Sequence, residues 1–402
     1  MMSSLQTALS RLLPGGRPAL PLKHISRSWV GPGRHSVALT TTAAPHVRDA
    51  MNLARAMNVV IVALIPCILI AIYNTGYQSN VLMAEAGLEA APGWHGAIIG
   101  VLGTGYRADS IVASICHGLL IVVPVFMTAL IAGGFWEAVF VRMRGGGRRG
   151  DYVLVALLFA LSLPPAVPLW QVFLGMTFGI VVGKEIFGGT GKHFLNPALT
   201  GLAFLYVTYP AQMVGETAWA VHGLSGATPL QAAEQGLHTI AWTGSTWMQS
   251  FLGLVPGAIG ATSTLACLIG AALLIGTRVA SARIMAGMLI GMTASATLFN
   301  LFGDPANSYS ALSWHWHLVL GSFAFATVFL ATDPVSAPMT DTGRWVYGVM
   351  VGAFVILIRV MNATHPDGIM FAILLGNILA PLIDYAVMYA NIRRRMRRNV
   401  RQ

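Results

Sequence analysis

Charge is what this sequence has least of. Only 9% of its 402 residues are Asp, Glu, Lys or Arg, where soluble domains carry about 25%. That scarcity, beside 55% hydrophobic residues and 44 Gly, excludes an ordinary soluble protein and leaves an all-α polytopic membrane protein. Cysteine is also scarce: Cys67, Cys116 and Cys267 fall inside apolar runs without paired spacing. A disulfide framework and a cysteine-held metal or iron–sulfur centre are therefore excluded, and the three read as small buried hydrophobes. No alternating strand pattern is present, so no Gly-rich dinucleotide fingerprint can follow a strand, and any redox chemistry has to use another bound cofactor. The first 56 residues lack the apolar core of a secretory signal.

The largest gap is in the basic residues. From Thr208 to Thr262 there is no Lys or Arg, in a chain that has 24 of them. Basic residues of bacterial inner-membrane proteins stay on the cytoplasmic side, so this long loop is expected on the periplasmic side. Ten spans are predicted near 57–74, 111–140, 152–167, 169–186, 198–214, 258–277, 283–302, 314–332, 343–361 and 368–390. With both termini cytoplasmic, this arrangement puts every basic residue inside except Arg107 and Arg359. A basic N-terminal segment, 1–56, and a basic tail, 391–402, then face the anionic inner leaflet, so membrane lipid accounts for the positive charge without a nucleic-acid partner.

Spans one to five (57–214) and six to ten (258–390) read as two inverted five-helix repeats flanking the loop 215–257. In transporters of that design, functional groups sit near the midplane where helices break. Each half supplies a candidate break: Gly188-Gly189-Thr190-Gly191-Lys192-His193-Phe194-Leu195-Asn196-Pro197, and Ala331-Thr332-Asp333-Pro334-Val335-Ser336-Ala337-Pro338. Either stretch reads equally well as an ordinary cytoplasmic loop. Glu137 and Asp384 lie in or at the ends of apolar spans, where a charge costs a few kcal/mol unless paired or hydrated. Such carboxylates suit a hard cation or protons, and they suit simple pairing to a neighbouring helix as well. Gly133 and Gly134, beside Phe135 and Trp136, allow close backbone approach, either to a flat ligand or to another helix. His315 and His317, between Trp314 and Trp316, read as interfacial anchors, because residues two apart do not share a helical face.

At the centre of the loop stands His222-Gly223-Leu224-Ser225-Gly226-Ala227-Thr228-Pro229-Leu230. Ser225, Gly226, Ala227 and Thr228 resemble the site where FMN is joined through its phosphate to a threonine in membrane subunits of the sodium-translocating NADH:quinone oxidoreductase and the related Rnf complex. Further segments resemble the membrane subunit of the former more than its Rnf counterpart. They are His46-Val47-Arg48-Asp49, Leu163-Pro164-Pro165 with Pro168-Leu169-Trp170-Gln171, Lys184-Glu185-Ile186-Phe187-Gly188-Gly189-Thr190-Gly191 running into Phe194-Leu195-Asn196-Pro197-Ala198, Trp314 to Gly321, and Ala331 to Ala337. The likeness runs from about residue 46 to the C-terminus.

The resemblance implies an inner-membrane subunit of a redox-driven Na+ pump, with covalent FMN on Thr228 and a second flavin, riboflavin, held noncovalently near Asn196 and Asp333. It further implies ubiquinone as electron acceptor near Gly133, Gly134 and Glu137, and a Na+ pathway touching Glu137, Asp333 and Asp384. NADH oxidation and iron–sulfur centres belong, on this likeness, to other subunits of the complex, and a flavin transferase matures the threonine. The chain departs from the family pattern at His222, where an acid commonly stands six residues before the threonine. Two other readings remain open: an Rnf-type subunit, and a solute channel or transporter on the same scaffold without redox chemistry.

Overall fold

A computed structural model describes residues 53–88, 94–144, 151–213, 219, 228–235, 246–304, 307–362 and 367–399. Among these residues the regular structure is helical throughout. Among the described residues, five helices are long and apolar enough to cross a membrane: α1 (Leu53–Glu85), α3 (Ile111–Arg144), α10 (Ala282–Phe302), α13 (Asp341–Met361) and α14 (Ile369–Asn399). A short helix, α2 (Trp94–Leu102), lies between the first two.

Three further expected spans are much shorter than a bilayer. Helices α4 (Tyr152–Ser162), α6 (Pro197–Thr208) and α9 (Thr264–Gly276) have 11, 12 and 13 residues, or about 16 to 20 Å at 1.5 Å per residue, against roughly 30 Å of hydrocarbon. The span expected over 152–167 is thus corrected to a helix that stops at Ser162. Leu163 is extended, and Pro164, Pro165 and Pro168 prevent resumption until α5 (Leu169–Ile180). Leu154 to Leu161 are all buried, so α4 is a core element. Polar backbone at such depth needs partners. Beyond α4 they come from the irregular stretch between the short helix α8 (Trp247–Leu252) and α9: Ile259 N–H donates to Leu163 O at 2.8 Å and Gly260 N–H to Leu161 O at 2.7 Å. A Cβ on Gly260 would stand 2.5 Å from a Leu161 methyl, so glycine is required there.

The remaining two expected spans are helices that change pitch. Helix α5 runs into a π turn at Val181–Glu185. After the short helix α11 (Trp314–Val319), α12 (Phe323–Phe325) runs into a second π turn, Ala326–Leu330. Such turns accumulate where helices serve sites, and each here leads into one of the two breaks marked by glycine and proline.

Close packing rests on small residues. Helices α10 and α13 cross through Gly287, Gly291, Gly348 and Gly352, and a Cβ on Gly291 would overlap Val349 O. Helix α1 meets α3 in the same manner at Gly76 and Gly118. The first span, expected to end at 74, continues to 85 because its polar residues have protein partners. Asn74 Nδ2 donates to Val255 O at 2.9 Å, and Asn80 Oδ1 is 2.7 Å from His117 Nδ1. Cys67 and Cys267 are buried as expected, but they meet, with sulfurs 3.9 Å apart between α1 and α9. Cys116 is half-buried.

Candidate functional site

Thr228 is the N-cap of a one-turn helix, α7 (Pro229–Ala232). Its Oγ1 accepts from Gln231 N–H, and Gln231 Oε1 accepts in return from Thr228 N–H at 3.1 Å. Pro229 at the first helical position has no N–H to leave unsatisfied. The turn is anchored from outside: Tyr309 Oη donates to Leu230 O at 2.9 Å, and Leu230, Ala232 and Ala233 pack with Tyr309, Leu312, Val319 and Leu320. The hydroxyl is therefore a half-buried cap in a defined place rather than a free loop group. Ser225, Gly226, Ala227 and His222 lie outside the described residues.

Thr228 lines a cavity of about 770 Å³, mouth included, walled by the end of α4 (Ser162), the stretch before α9 (Val255, Thr262) and the 319–322 turn. Thr262 Oγ1 is buried in that wall with no hydrogen-bond partner among the described residues. Asp367 is also in the wall, accepting from Ser322 Oγ at 2.9 Å and from Ser322 N–H at 3.4 Å. These parts come from both halves of the chain.

A second cavity, about 560 Å³ with its mouth, is lined by Asp151, His193, Asn196, Thr332 and Asp333. The two breaks, more than 130 residues apart in sequence, meet here. Three glycines with positive φ (Gly188 at 112°, Gly189 at 88° and Gly191 at 81°) carry the first break across, a backbone course that L side chains resist. Asn196 then caps α6, its Oδ1 accepting from Ala198 N–H at 3.0 Å, while its Nδ2 donates to Leu330 O at 3.3 Å, the last residue of the second π turn. Asp333 Oδ2 accepts from Ser336 Oγ at 2.9 Å and lies 3.7 Å from His193 Nε2. Asp151 Oδ1 and His193 Nδ1 are buried without hydrogen-bond partners among the described residues.

Glu137 and Asp384 belong to separate networks. Glu137 is buried against Lys184, whose Nζ is 3.4 Å from Glu137 Oε2, 2.8 Å from Asp151 Oδ2 and 3.8 Å from Glu185 Oε1. Arg144 closes this network on Glu185 at 2.6 Å. A fully buried ammonium among three carboxylates is more than sequence reasoning finds; the only signal is one Lys inside an apolar run. Asp384 accepts from Met339 N–H at 2.7 Å, Thr340 N–H at 3.0 Å and Thr340 Oγ1 at 2.5 Å, and so organises the turn that begins α13. Among the described residues no group of three or more His, Cys, Asp or Glu is arranged to hold a metal ion.

Gly133 and Gly134 face Tyr152. A Cβ on Gly133 would stand 2.7 Å from the Met176 methyl, and one on Gly134 would stand 3.1 Å from the Tyr152 ring. Helix packing thus already uses the space that the missing side chains leave, whereas Phe135 is half exposed. His317 corrects the expectation of an interfacial anchor. It is fully buried, and the Arg359 guanidinium donates to its carbonyl at 3.0 Å and to Leu320 O at 2.9 Å, with Nδ1 3.3 Å away. Arg359, near the outer end of the span expected over 343–361, is buried as well.

Residues 40–393 match the family described as the NQR2, RnfD, RnfE family. The chain is 49% identical over 366 residues to a Pseudomonas aeruginosa protein named as a subunit of the Na(+)-translocating NADH-quinone reductase, covering 90% of each chain. Proteins of the same name from Stutzerimonas stutzeri, 48% identical over 90% of this chain and 91% of the relative, and from Chromohalobacter salexigens, 46% over 91% and 89%, are similar along the same length. With a likeness that spans both cavities, both breaks and all five long helices, the chain belongs to the NQR2, RnfD, RnfE family.

Proposed function

We propose that this chain is the membrane subunit of a Na+-translocating NADH:quinone reductase that carries FMN as a phosphoester on Thr228, with the flavin ring in the 770 Å³ cavity. Relatives with nearly half their residues identical are named for that reductase across nine-tenths of the chain. The observation that carries the flavin reading is the position of Thr228, a capped hydroxyl in the wall of a cavity built from both halves of the chain. The residues fit such a group. Thr228 Oγ1 accepts in its cap bond, a role that an ester oxygen retains, and buried Thr262 Oγ1 is left with hydrogen-bonding capacity. Bound there, FMN supplies one- and two-electron exchange.

The second cavity is proposed for noncovalent riboflavin. Asp151 Oδ1 and His193 Nδ1, rather than the amide of Asn196, supply the free polar atoms, and Asp333 orients His193. Ubiquinone is proposed to approach at the exposed Phe135 beside Gly133, Gly134 and Glu137. The Na+ pathway is proposed to pass Glu137, where Lys184 is a side-chain cation able to exchange with a metal ion. Asp333 and Asp384, tied to nearby backbone and hydroxyl donors, hold the second break and the turn after it. We place the protein in a bacterial inner membrane with both termini cytoplasmic, two inverted halves (57–214 and 258–390) and the 215–257 loop periplasmic. Its partners are the NADH-oxidising and iron–sulfur subunits, a flavin transferase and membrane lipid.

The deciding experiment is flavin fluorescence of the purified subunit on a denaturing gel, with peptide mass spectrometry. FMN phosphate on the peptide containing Thr228 is the expected result. Its absence from the wild type would leave a solute channel or transporter on this scaffold as the better reading.

A further inference from the structure

Behind the wall of the Thr228 cavity stands a buried charge that the functional reading does not use. Arg359 is fully buried at the end of α13, its Nη1 and Nη2 on the carbonyls of His317 and Leu320, and its Nε lacks a hydrogen-bond partner among the described residues. A guanidinium so placed in a membrane protein is costly and marks a functional group. Leu320, whose carbonyl it holds, is cavity wall together with the following Gly321 and Ser322. The opposite charge, Asp367, is in the same wall and takes both donors of Ser322.

Gly321 lies between the two. Its φ is 70°, and a Cβ built on it would stand 3.0 Å from Arg359 Nη2, 3.0 Å from Asp367 Oδ1 and 2.9 Å from a Leu230 methyl. A side chain here would push apart the guanidinium, the carboxylate and the turn that carries Thr228. The missing side chain is therefore what lets both charges close on one point of the wall.

We propose that Asp367 and Arg359, on either side of Gly321, together set the reduction potential of the group carried by Thr228, with the carboxylate opposing electron arrival and the guanidinium favouring it. This rests on the reading that Thr228 carries FMN. NADH gives NAD+, one proton and two electrons, and a quinone takes two electrons and two protons to become quinol. Between these reactions, each electron arriving in the cavity adds one negative charge until a proton follows. Fixed charges of opposite sign at the wall shift that equilibrium in opposite directions, and low-dielectric surroundings enlarge the shift.

The test is anaerobic potentiometric titration of the covalent flavin in the assembled complex, at one alkaline pH, for wild type, Asp367→Asn, Arg359→Gln and Arg359→Lys. Asp367→Asn is expected to raise the midpoint and Arg359→Gln to lower it, each by about tenfold in the one-electron equilibrium, or about 59 mV. Arg359→Lys keeps the charge and stays near wild type. A cavity merely loosened by mutation would move both neutralising variants in the same direction. That result, or an unmoved midpoint in Asp367→Asn with its flavin still attached, would overturn the proposal. If Arg359→Gln does not assemble, the sign of the Asp367→Asn shift decides alone. Failure of the underlying reading looks different: the wild-type peptide containing Thr228 then carries no flavin at all.

Discussion

At the scale of single residues, the most exposed prediction concerns Thr228. Because its oxygen caps α7, Thr228→Ala removes two things at once, the attachment point and a cap contributing about 0.5–2 kcal/mol. Asn is among the best N-caps but has no hydroxyl to esterify. Thr228→Asn is therefore expected to assemble at wild-type level with no covalent flavin, by gel fluorescence and peptide mass. Flavin persisting in that variant would exclude this attachment site. Restoring an acid with His222→Asp is expected to give equal or higher flavin occupancy. The acids separate in a similar way. Asp384→Asn keeps only part of a three-donor arrangement around Met339 and Thr340, so it should weaken assembly and leave the Na+ dependence of quinone reduction alone. Glu137→Gln should raise the Na+ concentration needed for half-maximal rate, measured at fixed ionic strength so that surface screening is not read as binding. An unchanged Na+ dependence in Glu137→Gln would remove Glu137 from the ion pathway.

Elements respond where they touch. Replacing Lys184 by Met leaves Glu137, Asp151 and Glu185 buried around an uncharged side chain, and breaking such a network by removing one partner costs about 3–5 kcal/mol. Thermal unfolding of detergent-purified Lys184→Met should show a large loss, and Glu137→Gln a smaller one, since Asp151 remains 2.8 Å from the ammonium. Gly291 decides the α10–α13 crossing: even Ala there overlaps Val349 O, so Gly291→Ala is expected to reduce the yield of folded protein, whereas exposed Leu301→Ala on the same helix is not.

For the whole molecule, the distribution of basic residues makes the topology testable. A cysteine at Gly236 should label from the periplasmic side and one at Gly146 should be protected there, both positions lying outside the described residues. Reversal at either site would dismantle the inside-positive arrangement. Half-length helix α4 is buried along its length, and the irregular backbone that follows it finds its hydrogen-bond partners within the protein, as irregular backbone at membrane depth must.

Sequence alone determined the class and the rough location of nearly every helix. Bilayer burial demands long apolar runs and forbids scattered charge, and those demands are read residue by residue without knowing any contact. It also marked both candidate breaks, because glycine and proline punctuate a chain locally, while Thr228 stood out through a family resemblance. Only the tertiary structure decided which helices are long enough to cross, since Leu154 to Leu161 are as apolar as a lipid-facing run and differ only in what surrounds them. The meeting of Asn196 with Leu330, of Lys184 with three carboxylates, and of Arg359 and Asp367 across Gly321 was likewise not legible. Each joins positions that local preference cannot relate, and only the close packing of α5, α6, α12, α13 and the turns between them sets those groups within a few ångströms.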